Sequence, residues 1–453
     1  LSLHDALPIS DWVMADLTFD NPSFWQQKMS GQAINVDPTI ELWKTEGDHL
    51  LVPRHYEIPW KGAVPIASVP SWNQTEGLPH YIQLRDSIQK EASDALLATT
   101  NDKIISLGCG KGKTVVSLHA ASEGNRFPLL VVVHTNALKG QWRANYDDEG
   151  KLVGGMSFFY RIPPEEIGLI QGKTSDWRGK KVAIAMLHTL ILRQFPQEFY
   201  DYWRQVIFDE VHHLGAAWFQ KAASMFNAER WGLSATPNRE DRMDRIFRLH
   251  LGDVVYESLD QELTPKVFFV PTGVTLDLSK FVLRGGRVNT GRLYTKLSED
   301  EGRNALVLKF IRNANASGRK SLVLGERLAQ LYEMHEKLHE EGLDSAVHVG
   351  AMDEDERRAA LGKRNVFATQ HLAKEGLDRP SFDTLFIIIP FGGEGRLRQS
   401  IGRILRTSPG KKAPKVFVFY DTDSFSLAMV RKMRRVCVRL KYDVVMVARG
   451  GEV

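Results

Sequence analysis

The stretch IISLGCGKGKT, residues 104–114, decides the class of fold for this chain. Two isoleucines run into three glycines, and Lys113-Thr114 then open a helical-looking segment. A strand, a glycine-rich turn and a helix N-terminus in this order surround an anion such as phosphate with backbone N–H groups. The strict phosphate-loop pattern fails by one residue, because Leu107 stands where it requires glycine. The alternatives are therefore a phosphate-binding loop and a plain strand–turn–helix.

Short apolar runs recur along the chain, separated by helical-looking stretches. The runs are KIISLG (103–108), PLLVVVHT (128–135), IGLIQG (167–172), VAIAML (182–187), QVIFDE (205–210), RWGLSAT (230–236), SLVLG (321–325), SAVHVG (345–350), NVFAT (365–369), DTLFIIIP (383–390) and KVFVFYD (415–421). Such runs are typical of strands buried on both faces of parallel sheets that helices cover. They predict two tandem α/β domains, residues 78–257 and 258–453, after a small accessory module over residues 1–77.

Composition places few restrictions on function. Of 453 residues, 43% are hydrophobic and 25% charged, which is ordinary for a globular chain of two or three domains. The net charge of +4 permits a nucleic-acid partner without requiring one. Two cysteines cannot form a disulfide framework and favour a reducing compartment. No apolar run approaches the ~20 residues of a membrane span. Because the chain begins with Leu1 and Met14 opens a stretch typical of a natural start, we expect residues 1–13 to be non-native.

A second signal is VIFDEVHHL, residues 206–214, where an acidic pair ends an apolar strand. In a phosphate-loop fold this is the place of a Mg²⁺-binding aspartate, here Asp209, commonly acting through water. Glu210 would then orient and deprotonate the attacking water. The neighbouring His212 and His213 are a weak metal signal without further ligands at suitable spacing. A plain acidic strand end is the alternative, and the glycine-rich loop upstream disfavours it.

Two further motifs are ambiguous alone. GLSATPNRED (232–241) places the Ser234 and Thr236 hydroxyls just past a strand, which is also a common turn. QSIGRILR (399–406) spaces Gln399, Arg403 and Arg406 by four and three residues, so a helix would place them on one face. Arginines there are either solvated or stabilise the charge of a phosphoryl-transfer transition state.

Taken together, these motifs resemble those of the superfamily 2 helicases and translocases from about residue 80 to 440. The resemblance rests on LGCGKGKT (107–114), VVVHTNALKGQW (131–142), AMLHTL (185–190), DEVH (209–212), SATP (234–237), LVLGER (322–327), HVGAMDEDER (348–357), ATQHLAKEGLDRP (368–380) and QSIGRILR (399–406), in the order of the family's motifs. DEVH is similar to the motif of the DExH group. In size and layout the chain most resembles phage-type recombination and branch-migration DNA helicases.

The resemblance implies two RecA-like domains that bind ATP and Mg²⁺ in the cleft between them. It assigns catalysis to Lys113, Asp209, Glu210, Gln399, Arg403 and Arg406, the metal to Thr114 and Asp209, nucleotide binding to Gln89, Gly108, Gly110, Lys111, Gly112, Lys113, Thr114, Gly376 and Asp378, and coupling to Ser234 and Thr236. The family usually has an aromatic residue before Gln89, and this chain has Ser87-Ile88. The preference for ATP over other nucleotides is therefore left open.

The same resemblance implies a groove for a nucleic-acid backbone. It assigns phosphate contacts to Lys139, Thr189, Arg327, Thr369 and Gln370, which would bind without sequence specificity. Trp142 either stacks on a base or packs in the core. The segment RKMRRVCVRLKY (431–442) holds six Lys and Arg residues and is either an additional DNA contact or a solvated helix face with Val436, Val438 and Leu440 inward.

The expected function is an ATP-dependent DNA helicase or translocase that acts on duplex, forked or four-way-junction DNA in recombination or repair. Its expected location is the cytoplasm, that of the host cell for a phage protein. Two alternatives stay open. One is an RNA helicase, since relatives that act on RNA share the ATPase core. The other is a clamp that binds ATP and nucleic acid without productive turnover.

Overall fold

The structure is a computed structural model. It describes residues 9–30, 34, 36–46, 49–57, 77–108, 110–146, 150–211, 221–235, 244–258, 263–283, 286, 288–350, 352, 354–370, 379–406, 408 and 410–448. The chain divides into two compact units. The first consists of Leu1–Tyr146 and Leu152–Leu259, and the second of Asp147–Lys151 and Asp260–Val453. The limits of the predicted domains stay a prediction.

The N-terminal part of the first unit is small and made of short elements. These are helices α1 (Ile9–Asp16) and α2 (Pro22–Ser30) and strands β1 (Thr18–Asp20), β2 (Thr39–Glu41), β3 (Lys44–Glu46) and β4 (His49–Leu51). The strands form two antiparallel pairs, β1 with β2 and β3 with β4. Val13 and Leu17 pack with Ile246 and Leu249 of a later helix, and Arg245 of that helix pairs with Asp16 at 2.6 Å. An apolar cluster and an ion pair therefore hold this N-terminal part against the later helix of the same unit.

The first unit is built on an eight-stranded sheet. Its strands, with one separate antiparallel pair β7–β8, are β5 (Lys103–Leu107), β6 (Leu129–Val133), β7 (Asn145–Tyr146), β8 (Leu152–Gly154), β9 (Gly168–Gln171), β10 (Thr174–Asp176), β11 (Val182–Met186), β12 (Gln205–Phe208), β13 (Glu229–Ser234) and β14 (Val254–Ser258). The order is β10-β9-β11-β6-β12-β13-β5-β14, and only β10 runs antiparallel to its neighbour. The five central strands β11, β6, β12, β13 and β5 are buried at every residue.

Helices cover both faces of this sheet. They are α3 (Ser87–Leu97), α4 (Lys113–Glu123), α5 (Asn136–Arg143), α6 (Gly155–Tyr160), α7 (Leu187–Leu192), α8 (Gln197–Tyr202) and α9 (Asp244–Leu251), with a 3₁₀ turn at Pro164–Glu166. Leu96 and Val116 belong to the core cluster on one face, and Leu190 and Phe199 to the cluster on the other. The Thr135 hydroxyl accepts the Leu138 N–H at 3.2 Å and so caps α5 right after β6.

The second unit repeats this architecture with a seven-stranded sheet. Its elements are β15 (Lys266–Pro271), α10 (Thr290–Ser298), α11 (Glu301–Ala316), β16 (Ser321–Gly325), α12 (Leu328–Glu340), β17 (Ser345–His348), α13 (Glu354–Leu361), β18 (Asn365–Thr369), β19 (Thr384–Ile387), α14 (Glu394–Gly402), β20 (Lys415–Tyr420), α15 (Ser424–Arg439) and β21 (Asp443–Met446), with a 3₁₀ turn at Leu278–Phe281. All neighbours in the order β17-β18-β16-β19-β20-β15-β21 are parallel. Two apolar clusters pack on its two faces.

The predicted fold class is confirmed: two parallel-sheet α/β domains follow a small N-terminal module. Every apolar run quoted from the sequence contains a strand of one of the two sheets. No helix in the described part of the chain is both long and apolar enough to cross a membrane.

Candidate active site

The glycine-rich loop joins the end of β5 to the start of α4. Gly110 and Gly112 have φ values of +79° and +82°, in the left-handed region that favours glycine. A Cβ atom on Gly112 would lie 2.4 Å from the Gln89 side-chain nitrogen, so a side chain has no room there. The Gly108 N–H donates to the Ser258 carbonyl at 3.0 Å and ties the loop to the neighbouring strand. The loop therefore has a shape that lets a phosphate approach its backbone closely.

Gln89 holds this loop from helix α3. Its backbone N–H donates to the Asp86 carboxylate at 2.9 Å, which caps the helix. Its side-chain amide donates to the Lys111 carbonyl at 3.0 Å, and its side-chain oxygen accepts the Arg85 N–H at 2.8 Å. The sequence did not indicate this support of the loop. The predicted contact of Gln89 with a nucleotide stays a prediction.

Lys113 lies between the loop and the acidic pair. Its ammonium nitrogen is 3.4 Å from a carboxylate oxygen of Glu210 and 3.5 Å from the Leu107 carbonyl oxygen. The side chains of Lys113 and Glu210 are only 12% and 19% exposed. Thr114 is half-buried in the first turn of α4. Two motifs almost a hundred residues apart in the sequence thus meet at one edge of the sheet.

The acidic pair follows β12 at the carboxyl edge of the sheet. The Asp209 N–H donates to the Val132 carbonyl at 3.1 Å, which continues the ladder between β12 and β6. The Glu210 N–H donates to a carboxylate oxygen of Asp209 at 2.9 Å. Glu210 has a φ of +50°, which is uncommon for any residue other than glycine. Strain of this kind clusters at functional sites.

Trp142 of α5 supplies the other contact to this aspartate. Its indole N–H donates to the second carboxylate oxygen of Asp209 at 2.7 Å. The side chain is buried, with 1% of the residue exposed. The alternative in which Trp142 packs in the core is therefore correct and base stacking is wrong, because the buried ring offers no exposed face to a base. Spacing along the sequence gave no signal for this hydrogen bond.

The environment of Asp209 disfavours its charged form. Burial, together with the nearby Glu210 carboxylate, raises the pKa of Asp209 to about 6, against the opposing effect of Lys113 and of the Trp142 hydrogen bond. A buried carboxylate of this kind is stabilised by a bound cation, and hard oxygen donors are the ligands that Mg²⁺ prefers. The glycine loop, the Thr114 hydroxyl and Asp209 therefore fit a nucleotide triphosphate with Mg²⁺.

Two of the predicted phosphate contacts of the first unit lie close to each other. The Lys139 ammonium donates to the Gln171 side-chain oxygen at 2.9 Å, and the Gln171 amide donates to the Asn136 side chain at 2.9 Å. The Thr189 hydroxyl accepts the Gly172 N–H at 2.9 Å. The turn after β9 therefore connects the two residues at the carboxyl edge of the sheet.

The predicted phosphate contacts of the second unit differ among themselves. Arg327 is partly exposed, and its guanidinium donates to the Gly291 carbonyl at 2.6 Å and to the Thr295 hydroxyl at 3.0 Å. Thr369 is half-buried at the end of β18. Gln370 is 2% exposed, and its amide donates to the Ile389 carbonyl at 3.0 Å. The Gln370 side chain is thus enclosed by the core, and its predicted phosphate contact stays a prediction.

The arginine motif of the second unit is only partly helical. Helix α14 ends at Gly402, Arg403 is its C-cap, and Arg406 lies beyond it. Gln399 is buried within the helix. The expectation of one helix face for the three residues is wrong, because the chain turns after Gly402 with an Ile404 N–H to Ile401 carbonyl bond of 3.0 Å.

Ser234 is buried at the end of β13. Several other predicted residues lie outside the described residues, namely Thr236, Gly376, Asp378, His212 and His213.

The basic C-terminal segment belongs mostly to helix α15. Arg431, Lys432, Arg434, Arg435, Arg439 and Lys441 are exposed. The buried residues of this helix include Val430, Met433 and Cys437, at the spacing of one helix face. The solvated-face alternative placed Val438 inward, but it is 57% exposed because it lies one residue beyond that face.

Comparison with known proteins agrees with this geometry. Residues 82–239 match the family of type III restriction enzyme res subunits. Protein L396 of Acanthamoeba polyphaga mimivirus, named for an inferred ATP-dependent RNA helicase activity, is 23% identical over 87% of this chain and 75% of its own length. The DNA 3'-5' helicase XPB of Kineococcus radiotolerans is 25% identical over 71% of this chain. The chain spans 57% of the length of that relative.

Solved structures show the same fold. A single-residue variant of Dbp5 of S. cerevisiae, bound to RNA and ADP BeF3, covers 80% of this chain and is itself covered to 89%, with a TM-score of 0.55 and 13% identity. This likeness confirms the two tandem RecA-like domains. T4 UvsW aligns with 98% of this chain and over 96% of its own length at 16% identity, but with a TM-score of 0.37, so the phage-type grouping stays a prediction.

The class of the protein follows from the motifs, the fold and the relatives together. Together they support a superfamily 2 helicase of the DExH type. The prediction of an ATP-hydrolysing enzyme is thereby confirmed.

Proposed function

We propose that this protein is an ATP-dependent DNA translocase or helicase that acts on duplex or branched DNA in recombination or repair. The observation that carries the ATPase part is the meeting of Lys113 with the Asp209–Glu210 pair beside the glycine loop. The DNA part is supported by relatives named as DNA 3'-5' helicases XPB, from Kineococcus radiotolerans and Mycobacterium tuberculosis.

Each residue of the first unit has a distinct task in this proposal. The loop backbone and Lys113 bind the phosphates, while Thr114 and Asp209 hold Mg²⁺. Mg²⁺, when bound, supplies positive charge that neutralises the phosphate oxygens. Glu210 orients the attacking water and accepts its proton, a task for which its partly exposed carboxylate is suited.

The remaining roles rest on the resemblance of their motifs. Gln399, Arg403 and Arg406 act on the charge that develops during hydrolysis. Gly376 and Asp378 contribute to nucleotide binding, and Ser234 and Thr236 to coupling. Lys139, Thr189, Arg327 and Thr369 contact backbone phosphates, which gives affinity without sequence preference. Such binding suits an enzyme that moves along any sequence.

RNA is the second candidate substrate. Protein L396 is named for RNA helicase activity, and the Dbp5 structure contains RNA. The 2′-hydroxyl groups of RNA distinguish it from DNA at a binding groove. The fold does not distinguish a DNA substrate from an RNA substrate, so an experiment has to decide between them.

The test is steady-state ATP hydrolysis with Mg²⁺, alone and with single-stranded DNA, duplex DNA, a four-way junction or single-stranded RNA. We expect DNA to stimulate hydrolysis, with the strongest effect from branched DNA. Stimulation by RNA alone would replace the proposal with an RNA helicase. Binding of nucleic acid without hydrolysis under every condition would favour the clamp and contradict the proposal.

A further inference from the structure

Two side chains of helix α5 lie at different parts of the candidate site: the acidic pair and the predicted phosphate-binding residues. Trp142, near its C-terminal end, donates its indole N–H to the buried Asp209 carboxylate at 2.7 Å. Lys139, one helical turn earlier, is partly exposed and donates to Gln171 at the predicted phosphate-binding edge. The helix has eight residues, and Thr135 caps its start directly after β6. One short helix therefore carries both contacts.

The contact between Trp142 and Asp209 fixes the carboxylate in a definite orientation. One carboxylate oxygen accepts the indole N–H, and the other accepts the Glu210 N–H. An indole nitrogen can donate a hydrogen bond but cannot accept one. Each oxygen therefore stays an acceptor, and its remaining lone pairs are available to a metal ion or its water. Hydrogen bonds from such outer residues commonly orient metal ligands.

We propose that Trp142 is a positioning residue that orients Asp209 for the magnesium–nucleotide complex, and that helix α5 thereby links this carboxylate to nucleic-acid contact at Lys139. The inference rests on the proposed function for its second half. A backbone phosphate would compete with Gln171 for the Lys139 ammonium and so act on the first turns of α5. Because Trp142 is on the same helix, a shift of α5 changes the hydrogen bond to Asp209.

The chain offers a matched control for a mutation of Trp142. Trp203 lies in the same unit and is fully buried, with 0% exposure. Within the described residues its indole nitrogen has no hydrogen-bond partner. Trp203→Phe therefore removes an indole of equal burial without removing a hydrogen bond. Trp142→Phe keeps an aromatic ring but deletes the donor to Asp209.

The first experiment measures the affinity of fluorescent mant-ADP with Mg²⁺ and with EDTA. In Trp142→Phe we expect the tightening of ADP by Mg²⁺ to fall by about tenfold or more, and ADP affinity in EDTA to stay at the wild-type value. Trp203→Phe should match the wild type in both conditions. Equal Mg²⁺ tightening in Trp142→Phe and wild type would overturn the positioning role. An equal loss in both variants would assign the effect to packing.

The second experiment tests the link to Lys139. Trp142→Phe should reduce the stimulation of ATP hydrolysis by duplex DNA by about two- to thirtyfold, while DNA affinity without nucleotide stays unchanged. In Lys139→Ala, which already lacks the proposed phosphate contact, adding Trp142→Phe should reduce stimulation by less than it does in the wild type. Additive losses would overturn the link.

Failure of the proposed function is distinguishable from failure of this inference. If no nucleic acid stimulates the wild type, the proposed function and the link both fail. The mant-ADP titrations still decide whether Trp142 positions Asp209.

Discussion

Two aspartates of the first unit are almost equally buried but lie in opposite environments. Asp102 precedes β5 and is 6% exposed, and Asp209 follows β12 and is 4% exposed. Because β5 and β12 run in the same direction in one sheet, the two residues lie at opposite ends of the strands. Asp102 lies before the amino end of β5, and Asp209 lies after the carboxyl end of β12. Burial alone would raise the pKa of both carboxyl groups.

Asp102 is surrounded by cations. Arg230 donates to it from its backbone N–H at 2.7 Å and from its guanidinium Nε at 3.0 Å, and Arg54 donates from 3.1 Å. The His55 ring is 3.1 Å away. Burial raises the pKa of Asp102, but the His55 contact and the two guanidinium groups outweigh it and lower the pKa well below its ordinary range. These partners come from the N-terminal module and from β13, so Asp102 joins the module to the sheet of the first unit.

Asp209 has another carboxylate as its neighbour instead. Its pKa is raised to about 6 because burial and Glu210 act in the same direction and Lys113 offsets them only in part. Burial therefore does not distinguish a structural carboxylate from a functional one, and the charge of the partners does. A carboxylate with a raised pKa in a strained, acidic surrounding indicates a functional site.

The largest expected effect is on ATP hydrolysis, through Glu210 of the acidic pair. Glu210→Gln should lower ATP turnover by about a thousandfold, because the amide cannot accept the proton of the attacking water. Affinity for mant-ADP should remain close to that of the wild type. The control is Glu123→Gln, at the exposed end of α4, which should hydrolyse ATP normally. A Glu210→Gln protein that retained all nucleic-acid-stimulated hydrolysis would remove the catalytic assignment.

The next largest expected effect is on the stability of the fold, through Asp102. Asp102→Asn should lower the free energy of unfolding by about 3 kcal/mol, because it leaves the buried Arg230 guanidinium without a counter-charge. Denaturant unfolding measures this loss. Asp176→Asn is the control, since the Asp176 side chain is half exposed and its ion pair with Lys180 contributes little to stability. An Asp102→Asn protein as stable as the wild type would show that the charged groups around Asp102 do not stabilise the fold.

The two aspartates should also respond differently to pH. A carboxyl whose pKa is raised in the folded state destabilises the fold above that pKa, and protonation relieves the cost as pH falls. In EDTA, the unfolding free energy of the wild type relative to Asp209→Asn should therefore improve by about 2 kcal/mol between pH 8 and pH 4.5.

Asp102 has the opposite sign. Its folded pKa is lowered, so its contribution is present above the ordinary value near 3.8 and is lost only as pH falls further into the acid range. The difference between the wild type and Asp102→Asn should therefore stay constant between pH 8 and pH 5. Parallel pH profiles for the two aspartates would contradict the comparison.

The smallest expected effect concerns backbone strain. Glu210 has a φ of +50°, which glycine adopts without the steric cost that a Cβ atom brings. The Glu210→Gly variant should therefore have a free energy of unfolding about 1 kcal/mol higher than the Glu210→Ala variant, measured by denaturant unfolding. If the alanine variant were the more stable, strain at this position would be excluded.

The sequence predicted the central strands well because they are apolar on both faces. Strands β14 and β21 were not predicted, since they lie at sheet edges and are only partly buried, with charged or polar residues among their few apolar ones. Strand β15 was also missed, although residues 267–270 within it are apolar and buried. Local patterns identify a strand only when both faces are covered.

The site was predictable where its chemistry lies in contiguous motifs. Lys113, Asp209 and Glu210 were located from two short stretches, and the structure brings them together. The contact of Trp142 with Asp209 joins residues 67 positions apart, and Asp102 and Arg230 are 128 apart. Such pairs carry no local pattern, because the packing of helices and strands alone brings them into contact.

The most direct test of this account is the effect of Mg²⁺ on mant-ADP affinity in the wild type and in Asp209→Asn. The account predicts that Mg²⁺ tightens ADP binding in the wild type and has little effect in the variant, with equal affinities in EDTA. The same Mg²⁺ tightening in both proteins would show that Asp209 does not hold the metal and would contradict the central claim.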